Sequence, residues 1–158
     1  MPREVMDRRA ADNVYLHRDF HGAFSNALIY LEERFGPEAV REYLRGFARR
    51  FYGPLRVEIG ERGLPAIAEH VRRIYADEGA DVCLELDDDV LIVRVAACPA
   101  VAHMRAHGHR VAPLWRETTA AVNAAICEGS AYDFDLLEYD EETGASVGRF
   151  TRREEGSA

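Results

Sequence analysis

The sequence contains no lysine: all twenty of its basic residues are arginine. Without a lysine amine, the chain cannot form a Schiff base, anchor pyridoxal phosphate or build the lysine-dependent phosphate loop of nucleotide-binding proteins. Cysteine is also scarce, and Cys83, Cys98 and Cys127 are odd in number and far apart. That spacing is typical neither of a disulfide framework nor of a zinc knuckle. Any sulfur chemistry would therefore be that of a reduced thiol.

Long apolar runs are absent as well, and none approaches the roughly 20 residues that a membrane-spanning helix needs. The first thirteen residues mix acidic and basic side chains, which is typical neither of a signal peptide nor of a transit peptide. The net charge is −8, and the arginine pairs are spread along the chain rather than gathered in one patch. We therefore expect a cytoplasmic protein with neither a membrane nor a nucleic-acid partner.

The composition is that of a globular protein, with 158 residues, 47% hydrophobic and 30% charged. A chain of this length can bury one core, and we find no internal linker or repeat. We predict a single domain over 1–158, with flexible tails at 1–13 and 151–158. A homo-oligomer is left open by the sequence.

The hydrophobic pattern predicts helices first and strands later. Apolar residues at helical spacing predict leading helices from 19 to a Gly-Pro pair at 36–37, from Pro37 to a second pair at 53–54, and over 64–77. A period of two then predicts a hairpin over 80–97 and another over 131–150. Between the hairpins, one short helix begins at Cys98-Pro99 and a longer one runs from about Pro113 to Cys127. We expect an α+β fold, with helices packed on one face of a small antiparallel sheet made of two hairpins.

Cys98 is the sharpest candidate for chemistry. Pro99 suits the first turn of a helix, which makes Cys98 the N-cap at the point where a strand ends. Free N–H groups and the helix dipole stabilise a thiolate at that position. The alternative is a small, buried, inert cysteine, because free cysteine is among the most buried residue types.

Histidines recur four residues apart, at His17 and His21 and again at His103 and His107. This spacing places two imidazoles on one helix face, as in zinc sites, but a pair supplies only half of a ligand set. The sequence establishes no cofactor; if a divalent metal binds, we expect His17 and His21 to anchor it. The alternative is solvated or capping histidines, since such spacing also arises by chance.

The start of the long helix, Trp115-Arg116-Glu117-Thr118-Thr119, is the third candidate. Glu117 in a first turn offsets the helix dipole, and it would also serve as a general base if the turn faced a pocket. Thr118 and Asn123, on the same helix, have side chains that could form hydrogen bonds with a ligand.

These stretches carry a resemblance that extends from about Tyr15 to Phe150. The pattern is Cys-Pro-Ala-Val-x-His, then His-Gly, then an aromatic residue before x-Glu-x-Thr, then Glu-Gly-x-x-Tyr-x-Phe. It is similar to the L-2-amino-thiazoline-4-carboxylic acid hydrolase-like family. The family name implies hydrolytic opening of a small cyclic sulfur–nitrogen amino acid, with release of a thiol. A weaker resemblance is to small-ligand sensor domains of the vinyl-reductase type.

By position, the resemblance implies a set of functional residues. It points to Cys98, His103 and Glu117 as catalytic and to Thr118 beside them, and it includes the leading segment with His17, Asp19 and His21. We take as candidate substrate-binding residues Trp115, Thr118, Asn123 and Tyr132. The chain also departs from the family, whose members often carry cysteines where it has Trp115 and near Ala145 or Ser146. If those cysteines serve catalysis or a cluster, this protein has changed its reaction or lost it.

Two functions fit these features. The first is a hydrolase or lyase that opens a small sulfur–nitrogen heterocycle or cleaves a C–S or C–N bond, with Cys98 as nucleophile. The second is a non-catalytic small-ligand-binding or sensor domain on the same scaffold, in which Cys98 is a packing residue. We expect a small molecule as the partner in both cases, and we rank the enzyme first.

Overall fold

The computed structural model describes residues 16–154, with side chains from residue 20 onward. Within these residues the chain forms helices and a four-stranded sheet, which confirms the predicted α+β class. None of the described helices has the length and apolar character needed to cross a membrane. The elements in chain order are α1 (Leu16–Phe35), α2 (Pro37–Phe51), α3 (Gly53–Arg62), α4 (Leu64–Asp77), β1 (Val82–Leu86), β2 (Val90–Val95), α5 (Pro99–Ala106), α6 (Glu117–Cys127), β3 (Tyr132–Tyr139) and β4 (Ser146–Arg152).

Helix α3 was not predicted from the sequence. The pair Gly53-Pro54 suggested a break, but here proline stands in the first turn of a new helix, where its missing N–H has no partner to lose. Leu55 and Ile59, four residues apart, are buried and hold this short helix in the core. It ends at Gly63, whose φ of 68° favours glycine.

Helix α6 begins later than the predicted start near Pro113. Residues 113–116 form turns in which the N–H of Trp115 bonds to the carbonyl of Ala112 and the N–H of Glu117 to that of Leu114. These are three-residue steps, which wind more tightly than an α-helix. The first four-residue step runs from the Ala120 N–H to the Arg116 carbonyl. The link between α5 and α6 is correspondingly longer than the sequence indicates.

The sheet has the order β1-β2-β4-β3, and every neighbouring pair is antiparallel. Each hairpin supplies two adjacent strands, and pairing of β2 with β4 joins the hairpins, with Val95 opposite Ser146. Strand β4 continues to Arg152, whose N–H bonds to the Asp89 carbonyl, and Arg153 bonds to the Ala131 carbonyl. The first residues of the predicted tail at 151–158 therefore belong to the sheet.

The helices that contact the sheet are α4 and α6, and the other helices pack against these two or behind them. Of the leading helices, α4 contacts β1 and β2, whereas α2 packs on α6, which in turn contacts β3. Helix α1 packs on α2 and α5, one layer further from the sheet. Ser25 ties α1 to the loop before α6: its buried hydroxyl donates to the Arg110 carbonyl at 2.7 Å and accepts from the Ala112 N–H at 2.8 Å.

Candidate functional site

A cavity of about 160 Å³ lies between α4, α6 and the core face of the sheet. Its apolar wall comes mainly from valine, isoleucine and phenylalanine side chains of both helices and of β2, β3 and β4. A smaller number of polar groups interrupt that wall, as is usual for small-molecule sites. The polar lining residues are Tyr52, His70, Tyr75, Thr118, Thr119, Asn123 and Ser146.

The sequence of α6 explains which side chains reach the cavity. Thr119, Val122 and Ile126 recur at three- and four-residue spacing, so they share the side of the helix that faces the sheet. Opposite them, Gly148 of β4 leaves space for the ring of Phe134, since a Cβ at Gly148 would lie 2.7 Å from that ring. The cavity therefore depends on a glycine in the middle of a strand.

The tyrosine phenol and histidine imidazole groups of the cavity are held in their neutral forms. Burial lowers the pKa of His70, and the nearby charge of Arg73 lowers it further, against a weaker opposing effect of Glu58. Burial also raises the pKa of Tyr52, whose ring meets the edge of the His70 ring at 5.4 Å. At neutral pH these groups offer hydrogen bonds without net charge.

Cys98 occupies the N-cap of α5, as the sequence predicts, with Pro99 in the first turn. Its backbone is extended, with φ −78° and ψ 120°, and its N–H donates to the Thr143 carbonyl at 2.9 Å. Gly144 lies directly against it, because a Cβ there would come within 2.4 Å of the Cys98 Cβ. The thiol side chain is half-buried.

Two phenols lie within electrostatic range of the Cys98 thiol. Burial raises the pKa of both Tyr75 and Tyr139, and the nearby Cys98 raises the pKa of each of them further. Both hydroxyls therefore stay protonated at neutral pH and are able to donate hydrogen bonds. Tyr75 also lines the cavity, so it connects the neighbourhood of Cys98 with that space.

The predicted catalytic glutamate faces away from this region. Glu117 accepts a hydrogen bond from Arg41 Nε at 3.0 Å, and its side chain is only 13% exposed. Arg41 belongs to α2, so Glu117 lies on the side of α6 that packs against that helix. The following residue, Thr118, lines the cavity and donates its hydroxyl to the Trp115 carbonyl at 2.7 Å.

The four predicted substrate-binding residues divide into two pairs. Thr118 and Asn123 line the cavity. Trp115 and Tyr132 are instead buried at other places in the core. The Trp115 ring packs on Phe24 of α1 with a centroid distance of 5.9 Å. The Tyr132 hydroxyl fits against Gly63 at the start of α4, and the Arg152 guanidinium lies over its ring.

The histidines of α5 lie beside each other. The rings of His103 and His107 stack with centroids 4.1 Å apart, and His107 Nδ1 is 2.9 Å from the His103 carbonyl. His21 meets the Trp115 ring edge-on. Across the described part of the chain, no three histidine, cysteine or acidic residues form a group able to hold a metal. The side chain of His17 lies outside the described residues, so its predicted pairing with His21 at a metal stays a prediction.

Sequence reasoning did not find the tyrosines. Tyr75 fits the apolar stripe of α4, which predicts a core residue, and Tyr139 stands at the end of a strand with no motif around it. His70 is the only histidine of α4, and a lone histidine favours a structural role. Their common property, a position near Cys98 or the cavity, results from packing between elements that are far apart in sequence.

Comparison with known proteins adds no assignment. The chain matches no protein-family model and no curated protein.

Proposed function

We propose that the protein binds a small, partly apolar molecule in the cavity between α4, α6 and the sheet, and that Cys98 acts on it as a nucleophile. The observation that carries the proposal is the short path from the cavity to Cys98: Val95, three residues before Cys98, lines the cavity, as does Tyr75, whose pKa Cys98 helps to raise. A volume of about 160 Å³ suits a compact ligand of ring size. This agrees with the small heterocycle that the sequence resemblance implies.

The proposed reaction is hydrolytic ring opening. The Cys98 thiolate would add to the ring carbon between sulfur and nitrogen, and the electron pair released from the C=N bond would take a proton at nitrogen. Tyr75 and Tyr139 are protonated, so their phenols can donate hydrogen bonds to that nitrogen, and the proton itself comes from water. Cleavage of the ring C–S bond then releases the substrate sulfur, which takes up a proton from solvent. Water adds to the carbon that is still bound to Cys98, the Cys98–carbon bond breaks, and the product leaves with a carbonyl group at that carbon and a free thiol.

The direct test is release of free thiol from L-2-amino-thiazoline-4-carboxylate by the purified protein. We expect Cys98→Ser to abolish thiol release and Tyr75→Phe to reduce it at least about tenfold. Cys83→Ser is the matched control, because Cys83 is exposed on β1 and its partner across the sheet is Arg94. Full activity in Cys98→Ser would exclude the nucleophile, and the result stands only if circular dichroism shows that the variant is folded.

A second candidate is a binding or sensor module without catalysis. It is favoured by the contacts of Glu117, which is engaged by Arg41 rather than placed beside the thiol. Alkylation by iodoacetamide across pH, read for each cysteine by mass spectrometry, separates the two functions. A Cys98 rate whose midpoint lies well below about 8.5 favours the enzyme, and an unreactive Cys98 favours the module. The exposed Cys83 provides the internal reference.

A further inference from the structure

A strip of aromatic side chains lies exposed along α1 and α2, on residues that the proposed function does not use. Phe51 is 66% exposed, Phe20 60%, Tyr43 46% and Phe47 36%. The rings touch in sequence: Phe20 stacks on Phe24, Phe24 contacts Tyr43 and Phe47, and Phe47 stacks on Phe51 at 5.1 Å. Single exposed apolar residues are ordinary, but a contiguous strip is typical of an interaction surface.

The centre of this aromatic strip is a groove of about 580 Å³ on α2. Side chains four residues apart form rows along a helix, and two such rows line the groove. The rows are Glu42, Gly46 and Arg50, and beside them Tyr43, Phe47 and Phe51. Apart from its chain neighbours and the backbone of its own helix, a Cβ at Gly46 would meet no atom within 4 Å, so this glycine opens a notch in its row. The notch has room for an aromatic ring from another molecule.

The two charged residues beside the notch, Glu42 and Arg50, differ from the other charged residues of α2 in the ion pairs that they form. Arg41 and Arg45 pair with Glu38, Arg41 also pairs with Glu117, and Arg49 pairs with Glu128. Among the described residues, Glu42 and Arg50 have no ion pair, and Glu42 acts on Arg49 only at longer range. Glu42 and Arg50 lie four residues before and four residues after Gly46. An acid and a base placed symmetrically about a notch are complementary to the same surface turned by 180°.

We propose that α2 binds α2 of a second copy of the chain in antiparallel orientation, about a two-fold axis near Gly46. In this arrangement Glu42 faces the partner's Arg50, and Arg50 faces the partner's Glu42. Phe47 enters the notch at the partner's Gly46, and the reverse contact forms at the same time. Such a contact closes on itself, which a pairing of two different surfaces does not do. The proposal concerns assembly and is independent of the cavity and of Cys98.

Charge reversal tests the arrangement by sedimentation velocity over a range of protein concentrations. Glu42→Arg places two arginines opposite each other at both ends of the interface, and Arg50→Glu places two glutamates there. We expect each single variant to weaken dimerisation at least about tenfold. The double variant Glu42→Arg/Arg50→Glu restores opposite charges, and we expect it to dimerise within about threefold of the original chain.

The controls are Glu61→Arg and Arg72→Glu, which make the same charge changes at exposed positions of α3 and α4 away from the groove. We expect both to dimerise like the unmodified chain. A chain that stays monomeric at the highest concentration overturns the proposal. A dimer that survives both single reversals also overturns it, because the interface would then lie elsewhere. Failure of the double variant to recover, with circular dichroism unchanged, would exclude the antiparallel pairing of Glu42 with Arg50.

Discussion

The two sides of α6 differ in how they are packed. On the side toward α2, Glu117 and Glu128 each pair with an arginine of that helix, and the small residue Ala121 is buried between them in the helical sequence. On the side toward the sheet, Thr119 and Asn123 line a cavity of about 160 Å³. The side of α6 toward α2 is closed by ion pairs and a small side chain, and the side toward the sheet leaves a cavity.

Within the eleven residues of α6, one side therefore holds the helix in place and the other side is available to bind a ligand. The contact with α2 fixes where α6 lies, and that position keeps the opposite side open above the sheet. Neighbours in sequence therefore have different roles, as Glu117 and Thr118 show. We therefore expect substitutions on the α2 side of α6 to lower the free energy of unfolding, and substitutions on the sheet side to alter ligand binding.

The largest effect is expected from enlarging the α2 side. Ala121 is 6% exposed and lies one turn after Glu117, so Ala121→Leu forces extra methyl groups into a closed contact. We expect the free energy of unfolding in urea to fall by about 1–3 kcal/mol. Thr119→Leu is the matched change on the sheet side, and we expect it to cost less than about 1 kcal/mol because the cavity accepts the added volume. Equal losses in the two variants would remove the distinction between the two sides.

A smaller effect is expected from neutralising Glu117. Glu117→Gln replaces the carboxylate that pairs with the Arg41 guanidinium by an uncharged amide in a mostly buried setting, and we expect a loss of about 1–2 kcal/mol. A double-mutant cycle with Arg41→Gln, followed by urea unfolding, measures the coupling of the pair. If Glu117 is catalytic, as the resemblance implies, Glu117→Gln should instead abolish thiol release. The free energy of unfolding would then be unchanged, and the coupling energy with Arg41 would be close to zero.

The smallest effect concerns pH on the sheet side. Burial holds the pKa of His70 in the folded chain below its ordinary value of about 6.5, so the unfolded chain takes up the proton first. The stability contributed by neutral His70 is therefore complete above about pH 6.5 and is lost as the pH falls from there through the folded-state pKa. We expect His70→Gln to reduce the loss of stability between pH 7.5 and pH 5.5. The urea midpoints of the original chain and of His70→Gln at the two pH values measure this effect. If the midpoint changes between the two pH values by the same amount in both proteins, His70 does not contribute to the pH dependence of stability.

The sequence was a good guide wherever one local pattern decided the structure. Alternation with a period of two identified both hairpins, and Cys98-Pro99 identified the start of α5. The same local reasoning missed α3, because Gly-Pro indicates a break and does not tell whether a new helix follows. It also started α6 too early, since turns of three-residue steps carry nearly the same pattern as a helix.

The site was less predictable than the fold because its geometry comes from distant contacts. Glu117 and Arg41 are 76 residues apart, and nothing near Glu117 in the sequence indicates that it faces α2. Thr118 and Asn123 were chosen for their hydrogen-bonding groups and do line the cavity. Tyr75 belongs to the apolar stripe of α4 and is partly buried, but its position near Cys98 depends on the packing of α4 on the sheet.

The strand order has a consequence for how the chain folds. Strand β4 is the last described strand in the sequence, yet it lies inside the sheet with β2 on one side and β3 on the other. Its partners in β2 precede it by more than 50 residues, so this pairing has a high contact order and forms slowly. During synthesis, the β1–β2 hairpin must wait with one edge unpaired until β4 has left the ribosome. We expect that edge to be the point where a chaperone binds or an incomplete chain aggregates.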